Sequence, residues 1–298
     1  MRTLRAATRG SPLARWQTDH VADLLRSVDP EIEVEAVVVD TQGDRRLDVP
    51  IWELGGKGVF AKEVQAAVLD GRADLAVHSA KDLPAAAVPG LVLAAVPERG
   101  DPRDALVGST LADLPDGAEV ATGSLRRQVA LLQHRPDLRF ASLRGNMQTR
   151  LAKAADHDAV VVAATALDRL GLADHIAERL SVDVMLPQVA QAALAVECRE
   201  DAADLRALLA RIQHPVTRRC VDAERSFLRE LGGDCSLPAA AHAWVDGRDP
   251  TLLRLRAFLA APDGATMLRE EEVGDDASIG ALACRHLLDA GGSALLGR

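Results

Sequence analysis

The sequence predicts an α/β protein: two strand-and-helix domains followed by a smaller C-terminal α+β unit. Three observations predict it. Short runs of apolar residues alternate with period two, and between them lie stretches with a period near 3.6. Ser11-Pro12 opens the first helical stretch with a cap residue and a proline at the first helical position. The charged, breaker-rich segment Glu98-Arg99-Gly100-Asp101-Pro102-Arg103-Asp104 interrupts the pattern, which then starts again.

Each element follows from its own residues. Thr3 to Thr8 alternates as a strand, and Leu13, Trp16, His20, Leu24 and Val28 fall on one helical face. Ile32 to Val39 reads as a strand, Phe60 to Leu69 as a helix, and Asp74 to His78 as a strand. This succession predicts a largely parallel sheet. Leu91 to Val96 is strand-like, and the chain then crosses into a second series. That series holds a strand at Glu119 to Ala121, a helix from Ser124, a strand at Arg139 to Ser142, a helix from Asn146 and a strand at Ala159 to Ala163. Pro187 to Val196 would carry the chain back. In the last unit Leu252 to Leu259 alternates like an antiparallel strand and Ile279 to Leu288 reads as a helix. The expected domains are 1–98 with 190–214, 99–189, and 215–298.

Composition narrows the class. With 48% hydrophobic and 27% charged residues, the chain is neither disordered nor collagen-like. No apolar run approaches the ~20 residues of a membrane span, and Met1-Arg2-Thr3-Leu4-Arg5 leads into no signal-peptide core, so a cytoplasmic protein is expected. Cys198, Cys220, Cys235 and Cys284 lack CxxC spacing, so neither disulfides nor a metal site is predicted. Aromatic residues are only 2% and tyrosine is absent, which leaves a core of Ala, Val and Leu and little material for stacking on nucleic acid.

Charge is unevenly spread. Arg126, Arg127, Arg135, Arg139, Arg144, Arg150 and Lys153 face the single acid Asp137 between Val120 and Lys153, a local +6 inside a chain of −9. Arginine forks match carboxylate or phosphate oxygens two at a time, so the cluster points to an anion. Thr122-Gly123-Ser124 and Leu143-Arg144-Gly145-Asn146 each place a glycine at a strand-to-helix turn, where backbone N–H groups and the helix dipole favour negative charge. The alternative is a solvated basic helix face. Gly55-Gly56-Lys57-Gly58 lacks the spacing of a P-loop and reads as a loop with a basic tip. Asp82, after His78-Ser79-Ala80-Lys81, is positioned either to face a cleft or to form an ordinary cap or surface ion pair. Cys235 follows Gly232-Gly233-Asp234 in a turn, accessible enough for covalent chemistry, or simply inert.

Taken together, these segments resemble the hydroxymethylbilane synthase (porphobilinogen deaminase) family. The matching stretches are Ala7-Thr8-Arg9-Gly10-Ser11-Pro12-Leu13-Ala14, Gly55-Gly56-Lys57-Gly58 with Phe60 and Lys62, and Ala73 to Pro84. Arg99 to Ala105, Ser124-Leu125-Arg126-Arg127-Gln128, Ser142-Leu143-Arg144-Gly145-Asn146, Leu170-Gly171-Leu172 and Cys235 complete the ordered set.

The resemblance implies two periplasmic-binding-protein-like α/β domains around a cleft, plus a C-terminal cofactor-attachment domain. It implies a dipyrromethane cofactor held by a thioether to Cys235, and head-to-tail joining of four porphobilinogen molecules with loss of ammonia. Asp82 would be the catalytic carboxylate. Cys235, Lys81, Thr122, Ser124, Arg126, Arg127 and Arg144 would hold the cofactor, and Arg9, Ser11, Lys57, Arg144, Arg150 and Arg169 the substrate. A monomer that passes its product to a downstream tetrapyrrole cyclase, with no nucleic-acid or membrane partner, is the implied setting. Three departures stand out: Gly123 where the family often has serine, Asp234 in place of a glycine before Cys235, and Ala190-Gln191-Ala192 in place of a glycine-flanked glutamine. The rival reading is a non-catalytic anion-binding protein of periplasmic-binding type; a nucleic-acid binder is the weaker one.

Overall fold

The computed structural model describes residues 2–45, 58–232 and 237–295. Strand β1 (Arg2–Arg9) runs into helix α1 (Pro12–Val28), whose cap Ser11 accepts a hydrogen bond from the Ala14 N–H at 3.3 Å, as the Ser-Pro pair predicts. After β2 (Ile32–Val39) and α2 (Gln42–Arg45) comes α3 (Lys62–Leu69). It starts later than the apolar pattern indicated, because a turn closed by the Ala61 N–H on the Gly58 carbonyl takes up the preceding residues. Strands β3 (Leu75–Ser79) and β4 (Leu91–Ala95) follow. Asp74, expected to begin β3, instead accepts the Arg5 N–H at 2.7 Å and stands just outside the strand.

The chain continues through β5 (Asp104–Val107), β6 (Glu119–Ala121), α4 (Leu125–Leu132), β7 (Arg139–Ala141) and α5 (Met147–Ala152). Next come β8 (Ala159–Ala163), α6 (Ala164–Arg169) and β9 (Ile176–Arg179). Then β10 (Leu194–Arg199), α7 (Ala203–Ala210) and α8 (Pro215–Leu231) lead to β11 (Ala239–Val245), β12 (Leu253–Ala260), β13 (Met267–Gly274) and α9 (Ser278–Leu287). Two compact units result: Met1–Gly100 with Ala192–Arg218, and Asp101–Gln191 with Arg219–Arg298.

In the first unit a five-stranded sheet runs β2-β1-β3-β10-β4. β1 is parallel to β2 and β3, but β10 is antiparallel to both β3 and β4. The second unit repeats the arrangement in the order β7-β6-β8-β5-β9, with β6 parallel to its neighbours and β5 antiparallel to β8 and β9. The largely parallel sheet expected from the sequence is present in both units: four described strands of each sheet run one way, and β10 in the first and β5 in the second run against them. The physical reason lies in the connections: β5 and β10 enter straight from a crossing between units, without the helical crossover that forces a strand to run parallel.

Small side chains fill both interiors, as the shortage of aromatics requires. Leu4, Val21, Leu25, Leu75, Val77 and Leu194 form one core, and Leu106, Val120, Leu131, Val161, Leu180 and Met185 another. The C-terminal strands form a three-stranded antiparallel sheet, β11-β12-β13. Ala240, Phe258 and Ala260 of that sheet pack on Val129 of α4, which ties α4 down along its length.

Candidate active site

The two glycine turns of the basic segment lie side by side. β6 and β7 are parallel neighbours, and the Thr122 N–H donates to the Ala141 carbonyl at 2.9 Å, so the turn into α4 meets the turn into α5. The approach is close. A Cβ placed on Gly123 would stand 2.7 Å from the Leu143 carbonyl oxygen, so no side chain fits there. Gly145 has φ +112°, which a glycine adopts without strain, and a Cβ on it would strike the Thr149 side chain. Thr122 is buried and its Oγ1 accepts the Ser124 N–H at 3.2 Å. Ser124 precedes α4 without capping it, and among the described residues its hydroxyl has no hydrogen bond. Asn146 does cap α5, accepting the Thr149 N–H at 2.9 Å.

Arg126 and Arg127 leave the first turn of α4 for the interior, where they are 2% and 6% exposed. Both converge on Asp104, the wholly buried first residue of β5. Arg126 Nη2 lies 2.7 Å from Asp104 Oδ2, Arg127 Nη2 lies 2.7 Å from Oδ1, and Gln191 Nε2 donates to Oδ1 at 3.0 Å. Arg126 Nη1 also donates to the Leu186 carbonyl and Arg127 Nη1 to that of Val161. Burial by itself would raise the Asp104 carboxyl pKa. The charges of Arg126 and Arg127 and the hydrogen bonds from Arg126 and Gln191 outweigh it and hold the group at about 2.

Sequence reasoning assigned Arg126 and Arg127 to ligand carboxylates and overlooked Asp104 altogether. The missed signal was an acid leading an apolar strand, Asp104-Ala105-Leu106-Val107, in a segment read only as a crossing. Two other basic residues of the segment turn away from the glycine turns. Arg135 binds Asp137 and the carbonyls of Leu111, Leu114 and Pro115, and Arg139 donates to Gly117.

Arg144 follows β7 and is half-buried, and Arg150 Nε donates to the Gly145 carbonyl at 2.9 Å, keeping both beside the second turn. Arg169 ends α6, where burial pushes its guanidinium down to about 10 against the opposing charge of Asp168. A cation desolvated in this way is stabilised by any anion that reaches it. Next to it Asp168 grips Arg179 of β9, which also reaches Asp101 at 3.1 Å.

In the first unit, β1 and β3 are adjacent and parallel, so Arg9 at the end of one strand and Ser11 just beyond it share a sheet edge with Lys81 and Asp82 after the other. Arg9 stacks over the Phe60 ring, its guanidinium carbon 4.1 Å from the centroid. Lys81 and Asp82 lie in a 3₁₀ turn, Ala80–Asp82, pinned by the Ala80 N–H on the Ala193 carbonyl. Asp82 is half-buried, and among the described residues its carboxylate makes no hydrogen bond or ion pair. Lys57 and Cys235 lie outside the described residues, as does Asp234.

A family model described as "Porphobilinogen deaminase, dipyromethane cofactor binding domain" matches residues 4–207, and one described as "Porphobilinogen deaminase, C-terminal domain" matches 218–288. The chain belongs to the porphobilinogen deaminase family. A porphobilinogen deaminase of Syntrophotalea carbinolica is 47% identical over 287 residues, covering 95% of this chain and 90% of that one. Another, of Bordetella parapertussis, is 48% identical over 301 residues, covering 98% and 95%. Among solved structures, a nutrient binding protein from Burkholderia cenocepacia bound to methionine overlaps 71% of this chain and 92% of its own at 15% identity, TM-score 0.44.

Porphobilinogen deaminases are enzymes, which sets aside the non-catalytic anion-binding alternative, and the cofactor of the matched domain is dipyrromethane. The donors beside the two turns suit a group that bears acetates and propionates. They are the unengaged Ser124 hydroxyl, the N-terminal end of α4, and the half-buried guanidinium groups of Arg144 and Arg150. No described helix is long and apolar enough to cross a membrane.

Proposed function

We propose that this porphobilinogen deaminase joins four porphobilinogen molecules head to tail on a dipyrromethane primer held by a thioether to Cys235, losing one ammonia at each joining, and that water then cleaves the new chain from the primer as linear hydroxymethylbilane. When bound, dipyrromethane supplies the free α-carbon to which each new pyrrole is joined. Asp82 is the catalytic carboxylate. Positive charge develops on pyrrole nitrogen as ammonia leaves, and a fixed anion beside that N–H stabilises it where it forms. The observation that carries this reading is the half-buried Asp82 carboxylate, which no described cation or donor engages.

Thr122, Ser124, Arg126, Arg127, Arg144 and Lys81 hold the cofactor carboxylates, and Arg9, Ser11, Lys57, Arg144, Arg150 and Arg169 those of substrate and growing chain. Burial already pushes the Cys198 thiol up to about 11, which makes it a poor nucleophile for attachment. The domains are 1–98 with 190–214, 99–189 and 215–298, the last bearing the cofactor. The enzyme works as a cytoplasmic monomer and passes its product to a tetrapyrrole cyclase.

Intact-mass measurement tests the reading. Active protein should be heavier than the 31.6 kDa chain by one dipyrromethane, and Cys235→Ala should have the bare mass and no turnover. Active protein at the bare mass would overturn it.

A further inference from the structure

Behind the turn that carries Asp82 lies a buried polar cluster with no part in the chemistry described above. Glu197 of β10 is 6% exposed, as is His78 of β3, and Gln65 of α3 is 3% exposed. Gln65 Nε2 donates to Glu197 Oε2 at 2.8 Å, and His78 Nε2 stands 3.2 Å from the same oxygen. The three side chains join one helix and two strands through a single atom.

The surroundings are apolar and small. Val64, Ala67, Val68 and Ala76 pack in the same layer. A carboxylate there carries a desolvation cost, and a well-packed apolar side chain is often as stable or more so. What polar contacts add is direction. Alanine-rich packing constrains sliding weakly, whereas a carboxylate that accepts a hydrogen bond from Gln65 of α3 and touches His78 of β3 fixes where β3 ends relative to β10 and α3. His78 is the penultimate residue of β3, just before the Ala80–Asp82 turn, and the β10 register sets Ala195 opposite His78 and Leu194 opposite Ser79. On its other side Ser79 is fixed by Gln17, whose Nε2 donates to Ser79 Oγ at 2.8 Å.

We infer that Glu197, through His78 and Gln65, is a positioning residue that sets the placement of the Asp82 carboxylate. The inference rests on the role given to Asp82 above. Its test is a double-mutant cycle on the full-length, cofactor-loaded enzyme with Glu197→Gln, Asp82→Asn and the pair, reading kcat and KM for porphobilinogen and cofactor loading by intact mass. Misplacing a catalytic group by a fraction of an ångström costs on the order of ten- to a hundredfold in rate. Glu197→Gln should lower kcat by about that factor while KM and loading change less than about twofold, and it should lower turnover no further in the Asp82→Asn background.

The same fractional loss in both backgrounds, or an unchanged kcat, overturns the inference while leaving Asp82 its role. Normal turnover of Asp82→Asn alone removes that role and the inference with it. Should Glu197→Gln not accumulate as folded protein, Gln65→Met enters the same cycle. It deletes the one hydrogen bond that the Gln65 amide gives Glu197 and leaves His78 in place, with an expected loss of at least about threefold in kcat that again vanishes without the Asp82 carboxylate.

Discussion

Arg126 and Arg127, consecutive on one helix, grip opposite oxygens of the same buried carboxylate, Asp104, each at 2.7 Å. Two cations thereby share one internal anion, which leaves a net positive charge beside the turn, and the stability of the α4 turn depends on that anion. Asp104→Asn keeps the shape and removes the charge, leaving two buried guanidinium groups uncompensated. Loss of one partner from a buried ion pair costs about 3–5 kcal/mol, and chemical denaturation should report a decrease of that order. An unchanged denaturation midpoint would mean the pairing is not what anchors the turn.

The same pair fixes a pH dependence. The Asp104 pKa falls from 3.8 to about 2 on folding, so the unfolded chain takes up the proton first as pH drops. Its contribution, about 2 kcal/mol, is complete above roughly pH 4 and disappears as pH falls towards 2. Denaturation free energies compared between pH 6 and pH 3 should show about half of this loss in the native sequence and a shallower slope in Asp104→Asn.

Arg126→Lys should impair cofactor loading. Lysine carries the charge but cannot serve the Asp104 carboxylate and the Leu186 carbonyl from two nitrogens in one plane. Intact mass of freshly expressed protein checks this; full loading with native kinetics would contradict it.

Asp82→Ala should retain the cofactor mass but turn over porphobilinogen on the order of a hundredfold or more slowly, as when one preorganised electrostatic group is removed from a transition state. Steady-state assays alongside the mass measurement separate turnover from attachment.

Gly123→Ser should weaken this protein. The new Cβ would lie 2.7 Å from the Leu143 carbonyl oxygen, and the backbone shift needed to relieve it costs about 1–3 kcal/mol. Thermal unfolding of the variant measures that cost.

Ala190 and Ala192 hold φ of 57° and 69°, a left-handed conformation that side chains resist, on either side of the glutamine that binds Asp104. The Ala190 N–H is held there by Glu224 Oε2 at 2.5 Å. Ala190→Gly and Ala192→Gly should each be neutral or stabilising by up to about 1 kcal/mol, since relieved strain offsets the extra freedom of the unfolded chain. Ala207→Gly, on the exposed face of α7, should cost about 1 kcal/mol. Opposite signs in thermal unfolding are the expected result.

Much of this architecture was legible in the residues. Ser11-Pro12 marked the start of α1 and Thr122-Gly123-Ser124 the turn into α4, because caps and glycine turns act over a few residues. The Val120 to Lys153 charge excess located the paired turns. Strand direction was not legible for β5 and β10, since direction depends on where the chain re-enters a sheet and no local pattern encodes that. Nor was the role of Asp104. A carboxylate 22 residues from Arg126 in sequence becomes its partner only when β5 is laid in place.

Strand β2 occupies the outer border of its sheet, eight residues long and laddered to β1 on one side. Such a border invites the corresponding border of a second molecule, and Val38 at 43% exposure adds adhesion. Glu33 and Glu35 stand exposed along the same stretch, so two copies approaching border to border bring like charges together. Repulsion there protects a concentrated solution from fibre-like association, and neutralising both glutamates would expose the enzyme to clumping long before it touched catalysis.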